Sequence, residues 1–414
     1  EGVAGRDVFL FLCFCFALSK RCLLVMLSKS QLFSIFFNEY AVKINCQRRN
    51  SRWSPRLTGM SVLVNEHGSR FFEFFYVVVY NLFLALGMFS SLFRRRVCEE
   101  KIFIVLDPRL SSYNLSGLPT FRVGPHLFFR SSFFSIYQLI GRAQLFKIAL
   151  LSLCSYSKAC EALKASCVSY GVCANDFKKM VGFGYFRYLE LNLAHAALLN
   201  VAHVESAGHF DVYTGLISLV REQGALAFVR LYQHGLYEKF LVGKMLRRFF
   251  SDSYVLRYVQ SKKYFLSDMN ANPAVKITFA EAAFKPNAML LDCIESEKIA
   301  YALQNDCYEE DFLNIQYLQN LKPAAYIALY LHPATPKKIV RTITLRFPGL
   351  HVFLKERHLN IDVVVSRYSS LVLDYGSLGV KGVFIAQHDQ VCAFDSEGNE
   401  FKVVYSLEQL RSIL

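Results

Sequence analysis

The last third of the chain is the most constraining, because short apolar runs alternate there with segments of helical spacing, and most runs stop at a polar or breaking residue. Ala324 to Leu331 is such a run and ends at His332-Pro333; His351 to Leu354, Ile361 to Val365 and Gly382 to Ala386 are others. Glu310 to Leu321, Pro336 to Phe347 and Ser406 to Leu414 fill the gaps with helix-like patterns. Strands separated by helices cannot pair as tight hairpins. They pair in parallel and are covered on both faces. This predicts an α/β, Rossmann-like domain over 271–414, opening after Met269-Asn270-Ala271-Asn272-Pro273.

The middle of the chain carries a weaker version of the same rhythm. Lys101 to Asp107 reads as a buried strand stopped by Pro108, and Arg130 to Tyr156 as a helix interrupted at Gly141. Tyr188 to Val204 is helix-like. Asp211 to Glu222 reads as a helix with Asp211 as N-cap and Gly224 as terminator. Ala225 to Tyr232 is apolar, holds no breaker and ends at Gln233-His234-Gly235. We expect a second α/β unit over 101–270.

Residues 1–100 are read as an irregular, apolar N-terminal segment with possible membrane association. Phe9 to Leu18 is too short to cross a bilayer and lacks the basic segment and cleavage site of a secretory signal, so it is expected to be a buried strand or helix. Phe71 to Phe93 holds Glu73 as its one charge and is bounded by Arg70 and Arg94-Arg95-Arg96. It is long enough for a hydrocarbon core of about 30 Å, but hydropathy does not separate a spanning helix from one buried in the protein or lying on the bilayer.

Composition narrows the classes. With 53% hydrophobic residues and 15% aromatics, the chain can bury enough surface to order itself, which excludes a disordered tail. Its 12 cysteines include no C-x-x-C pair, and His195, His203 and His209 are too loosely spaced for zinc. Reduced, mostly buried thiols in a cytoplasmic protein are expected, with no metal and no cofactor. The net charge of +14 comes from dispersed groups such as Arg48-Arg49, Arg94-Arg95-Arg96 and Arg247-Arg248, without a nucleic-acid recognition module. An anionic inner-leaflet surface fits this better than nucleic acid.

Three polar clusters follow predicted strands: Gln233-His234-Gly235, His332-Pro333, and Ser366-Arg367-Tyr368-Ser369-Ser370. Ligands of open α/β sheets collect outside the carboxyl ends of strands, so the shared position gives these residues weight. Ser369 and Ser370, where a strand meets a helix, can hold a phosphate by hydroxyl and backbone N–H groups, or Ser370 can serve as an ordinary N-cap. Asp374-Tyr375-Gly376 is read as helix packing, Gly182-Phe183-Gly184 as a turn, and Lys337, Lys338 and Arg341 as a solvated helix face.

The order of these clusters, His332-Pro333 and then Ser369-Ser370 at successive strand ends, resembles the HP and SS motifs of bacterial sialyltransferases and polysialyltransferases. Those are GT-B enzymes that use CMP-activated sugars. The segment Tyr368-Ser369-Ser370-Leu371-Val372-Leu373-Asp374, with His234-Gly235, is also similar to teichoic-acid polymerases that use CDP-glycerol, except that Arg367 stands where those carry Asp. The resemblance covers roughly residues 210–414.

It implies two Rossmann-like domains facing a cleft, an acceptor domain over 101–270 and a donor domain over 271–414. It implies His234 as general base, in place of the sialyltransferase carboxylate, with Asp211, Glu222 or Glu238 as substitutes. His332 would protonate or bind the departing phosphate, and Pro333, Ser369, Ser370 and Gly235 would line its site. The activity implied is glycosyl transfer from a CMP-sugar of sialic acid or Kdo type to a glycan or lipid-linked glycan, in bacterial cell-surface polysaccharide synthesis. It would take place in the cytoplasm, peripheral to or anchored in the inner membrane. The alternatives are a CDP-glycerol glycerophosphotransferase and a non-catalytic membrane-associated assembly protein.

Overall fold

The computed structural model describes residues 27–49, 70–106, 108–124, 133–207, 211–233, 246–258, 261–280, 296–304, 308–332, 335–353, 360–367, 369–386 and 401–414. They form an α/β structure built on two all-parallel sheets.

The first sheet contains β1 (Lys101–Val105), β2 (Thr120–Arg122), β3 (Phe134–Ser135), β4 (His203–Ser206), β5 (Phe228–Tyr232), β6 (Ser253–Leu256) and β7 (Lys276–Phe279), in the order β3-β2-β1-β4-β5-β6-β7. The Ile-Phe-Ile-Val run of β1 is buried throughout, as expected of a strand covered on both faces. The longer helices described in this unit are α1 (Lys29–Arg49), α2 (Arg70–Leu92), α3 (Arg142–Ser169), α4 (Ala174–Met180), α5 (Tyr185–Leu198) and α6 (Val212–Glu222). The centre is α5, in which every residue from Arg187 to Leu198 is buried. Among the described residues of 1–100, the two helices are part of this unit and not a separate segment. Phe33, Ile35 and Phe36 of α1 and Leu84 and Met88 of α2 lie in the same core as Leu191 and Leu193 of α5. Gly215 of α6 lets α1 approach, since a Cβ there would stand 3.4 Å from the Ile35 side chain.

The second sheet contains β8 (Lys298–Ala302), β9 (Tyr326–Tyr330), β10 (His351–Phe353), β11 (Val363–Ser366), β12 (Lys381–Ile385) and β13 (Phe401–Val404), in the order β10-β9-β8-β11-β12-β13. Helices α7 (Tyr308–Leu321), α8 (Lys337–Arg346), α9 (Leu371–Gly376) and α10 (Leu407–Ile413) accompany it. Alternate residues of β8 feed opposite faces: Ile299 and Tyr301 enter one core, Ala300 and Ala302 the other. The strand order reverses between β8 and β11, which makes their carboxyl ends the natural crevice of this half.

Three expectations are corrected. The helix expected from Arg130 begins only at Arg142, because Ser135 and Gln138 form a capping box that starts a separate short 3-10 turn before Gly141. The helix expected to reach Val204 stops at Leu198, and Val204 instead pairs with Ile102 as part of β4. The first sheet also continues past the expected boundary at 270. Asn270 and Asn272 bond to each other, and Asn272 to Ser251 O at 2.8 Å, turning the chain back so that β7 adds beside β6. Phe9 to Leu18 lies outside the described residues. Among the described residues no helix is long and apolar enough to cross a membrane.

Candidate active site

The site is built where strands end. β5 delivers Gln233, which is fully buried; its Oε1 accepts from the backbone N–H of Arg257 at 2.9 Å and of Tyr258 at 3.2 Å, while its Nε2 donates to Ser261 Oγ at 2.7 Å. One amide side chain thus ties the carboxyl end of β5 to that of β6. His234 and Gly235 follow directly but lie outside the described residues, as does Pro333. His332 is half-buried two residues past β9, after Leu331, and its carbonyl accepts from Thr335 N at 2.8 Å.

In the second sheet the switch point is fastened by Ser366. Its hydroxyl donates to Ala302 O at 2.8 Å and accepts from Gln304 Nε2 at 3.0 Å and from Ser369 N at 3.1 Å. The ends of β8 and β11 and the start of the serine turn are therefore one hydrogen-bonded unit. Ser369 Oγ accepts from Leu371 N at 3.3 Å. Ser370 occupies the N-cap position of α9, yet its side chain makes no capping bond; the hydroxyl meets Tyr258 instead. Tyr330, the last residue of β9, and Ser366, the last of β11, both pair with Ala302, so His332 follows a strand end on the same edge as the serine turn.

Arg367 explains the departure from the teichoic-acid pattern. It is buried, and its Nε and Nη2 grip the Asp311 carboxylate at 2.7 and 3.1 Å, with Glu310 at 3.2 Å from Nη1. Asp311 also accepts from Tyr301 OH at 2.7 Å and from Gln304 N at 3.2 Å. Burial pushes the Asp311 carboxyl above the ordinary Asp range, and the Arg367 charge and hydrogen bonds pull against it. This cluster holds the turn beneath the serines.

The two halves meet at Asp374. Its Oδ1 accepts from Arg257 Nη2 at 2.9 Å and from Tyr258 OH at 3.0 Å. Arg257 and Tyr258 leave the carboxyl end of β6, and Asp374 sits on the helix that leaves β11, so the carboxyl edges of both sheets face each other across this contact. Burial, and then the Asp374 charge, push the Tyr258 phenol well above its usual range. Reading Asp374 as helix packing is therefore corrected. Through Tyr258, the contact puts Gln233 and Ser370 in one place.

Asp374 was within reach of the sequence, since it lies one helical turn after Ser370. Arg257 and Tyr258 obey the same rule that singles out His234, a polar residue after an apolar run, but Ser253 to Leu256 is too short a run to stand out. Gln304 had no such signal. Of the substitute bases, Asp211 caps α6 by accepting from Tyr213 N and Thr214 N, Glu222 pairs with Arg247, and Glu238 lies outside the described residues. Among the described residues no group of His, Cys, Asp and Glu could hold a metal ion.

The chain matches no protein-family model and no curated protein. Solved structures similar to it include a glycosyltransferase from Rickettsia africae, with 10% identity, 77% of this chain and 87% of that chain covered, and a TM-score of 0.36. A UDP-GlcNAc 2-epimerase from Neisseria meningitidis bound to UDP-GlcNAc has 13% identity, 76% and 89% coverage and a TM-score of 0.36. The wall teichoic acid polymerase TagF has 12% identity, 84% and 88% coverage and a TM-score of 0.38. Likeness this distant carries no argument about what the chain binds or does.

Proposed function

We propose that the chain is a GT-B-type transferase that takes a cytidine-nucleotide-activated donor, a CMP-sugar of sialic acid or Kdo type, and passes it to a glycan or lipid-linked glycan of a cell-surface polymer at the inner face of a membrane. The observation that carries this reading is the meeting of Arg257 and Tyr258 with Asp374, which brings two parallel sheets together edge to edge at their carboxyl ends. Charge grows on the donor phosphate as its bond breaks. The hydroxyls of Ser369 and Ser370 would stabilise it, with His332 protonating or binding it. His234, rooted by Gln233, would take the proton from the acceptor hydroxyl, as an imidazole near its unperturbed pKa of about 6.5 can do at neutral pH.

A second reading, CDP-glycerol as donor, is favoured by one observation: Asp374, the last residue of the Tyr-Ser-Ser-x-x-x-Asp segment, belongs to the inter-sheet contact. Donor turnover assays with CMP-sialic acid, CMP-Kdo and CDP-glycerol separate the two. His332→Ala should lower turnover by about 10²- to 10⁴-fold without loss of fold, because the side chain is only half-buried. Full activity in that variant would remove His332 from the reaction. A thermal shift with neither CMP nor CDP would instead favour the non-catalytic assembly protein.

A further inference from the structure

Helix α2 has two faces of opposite character. Asn81, Leu84 and Met88 are buried, and Asn81 accepts from Arg187 N at 3.1 Å at the start of α5. The other face carries Val78, Leu82, Leu86 and Phe89, followed by Phe93, at spacings that place them in one stripe. Their exposures are 43%, 53%, 47%, 61% and 74%. Phe89 and Phe93 pack edge-on, 5.2 Å between ring centres, against each other.

Single exposed apolar residues are ordinary, but a contiguous stripe marks a surface meant to be covered. The stripe runs directly into Arg94-Arg95-Arg96, of which Arg95 and Arg96 are exposed. The segment after α2 meets the 3-10 turn that precedes α3: Gln138 joins Arg95 O at 3.1 Å and Val97 N at 2.9 Å, and Arg96 stands 3.9 Å from where a Gly141 Cβ would be. The exposed residues of α3 include Arg142, Phe146 at 72% and Leu153 at 61%. Large apolar side chains bordered by guanidinium groups match the chemistry of an anionic bilayer surface, where rings and aliphatic chains enter the headgroup boundary and arginines meet phosphates.

We propose that this face docks in the plane of an anionic phospholipid bilayer, with the α2 stripe seated at the headgroup boundary and Arg95 and Arg96 on lipid phosphates. It names the surface for the membrane association proposed above and rests on that part of the reading alone. The test is flotation of the full chain with phosphatidylglycerol-containing vesicles and with pure phosphatidylcholine vesicles. The wild type should float with the anionic vesicles and far less with the neutral ones. Leu82→Glu combined with Phe89→Glu should lower partitioning by at least about a hundredfold. Arg95→Gln combined with Arg96→Gln should lower it about thirtyfold on anionic vesicles and leave neutral ones unchanged. All four side chains are exposed, so circular dichroism and thermal melts should match the wild type. Unchanged flotation of the Leu82/Phe89 variant overturns the proposal. So does a wild-type dimer that ignores vesicles and dissociates on the same substitutions, which would assign the face to a second copy. Thermal shift with CDP on the same variants tests the transferase reading separately and should be unaltered.

Discussion

Replacing Arg367 with Met tests the claim that a buried ion pair carries the serine turn. The substitution keeps most of the side chain's volume and removes both bonds to Asp311, at 2.7 and 3.1 Å, in a place where neither partner meets solvent. Asp311 would keep Tyr301 OH and Gln304 N as donors, but its charge would lose its partner. Breaking one side of such a buried pair costs about 3–5 kcal/mol. The Glu310 contact adds little, because that carboxylate is 38% exposed. Urea denaturation followed by circular dichroism would read the loss. The deficit should also depend on pH. Burial already raises the Asp311 pKa above its ordinary value of 3.8, and removing Arg367 raises it further. A raised carboxyl pKa favours the fold most below the ordinary Asp value and does so less as pH rises through the folded pKa. The variant should therefore lie closest to wild type in acid and furthest from it at neutral pH. Arg367→Met combined with Asp311→Leu should recover most of the loss, since an apolar replacement of both partners leaves no stranded charge. A loss below about 1 kcal/mol, or one that ignores pH, refutes the argument.

Three further outcomes follow from the same geometry. Tyr258→Phe and Asp374→Asn should be non-additive by about 0.5–1.5 kcal/mol in a double-mutant cycle, with Arg257 adding little because it is a third exposed; additive effects would mean that the inter-sheet contact is idle. Asp252 is held below the ordinary Asp range: burial opposes this, but Arg221 at 2.6 and 2.7 Å and Val229 N at 2.8 Å outweigh it. Its contribution is present above that range and is lost as pH falls through the lowered pKa, so Asp252→Asn should flatten the acid limb of a stability–pH curve and cost about 1 kcal/mol at neutral pH. Burial pushes the Cys167 thiol up to about 11, so maleimide should label exposed Cys98, Cys154 and Cys173 well before Cys167 in the native state; early labelling of Cys167 would contradict its packing.

The second sheet was legible because its strands are continuous apolar runs closed by breakers. The Val-Val-Val of β11 is buried on both faces and carries no competing helical period. Asp211 was legible as a cap because a carboxylate before an apolar helix has few other uses, and it does accept from Tyr213 N and Thr214 N. The first sheet was harder to read. β3 has two residues and β7 is mostly exposed, so neither carries an apolar signature; both exist because a neighbouring strand offers a ladder. Local pattern cannot register a partner that lies far along the chain. Gln233 and Gln304 were missed as anchors for the same reason, since an amide looks like any loop residue until its partners are placed, the Arg257 and Tyr258 N–H groups for Gln233 and the Ser366 hydroxyl for Gln304.

Arg367 and Asp374 bear on how the crevice tolerates its departure from the two patterns it resembles. A carboxylate at 367 would sit against Asp311, which is buried and holds a partly compensated charge, so Arg367→Asp should be far worse than Arg367→Met. The guanidinium is thus required by Asp311, a residue of α7, and not by a ligand at the serine turn. Asp374 is different. Its carboxylate bonds the opposite half of the chain, through Arg257 and Tyr258. A side chain used this way makes the separation of the sheets sensitive to any anion that competes for Arg257 and Tyr258. If a donor phosphate enters there, Asp374→Asn should change nucleotide affinity while the second sheet's own stability stays level, whereas a purely structural Asp374 would shift stability alone.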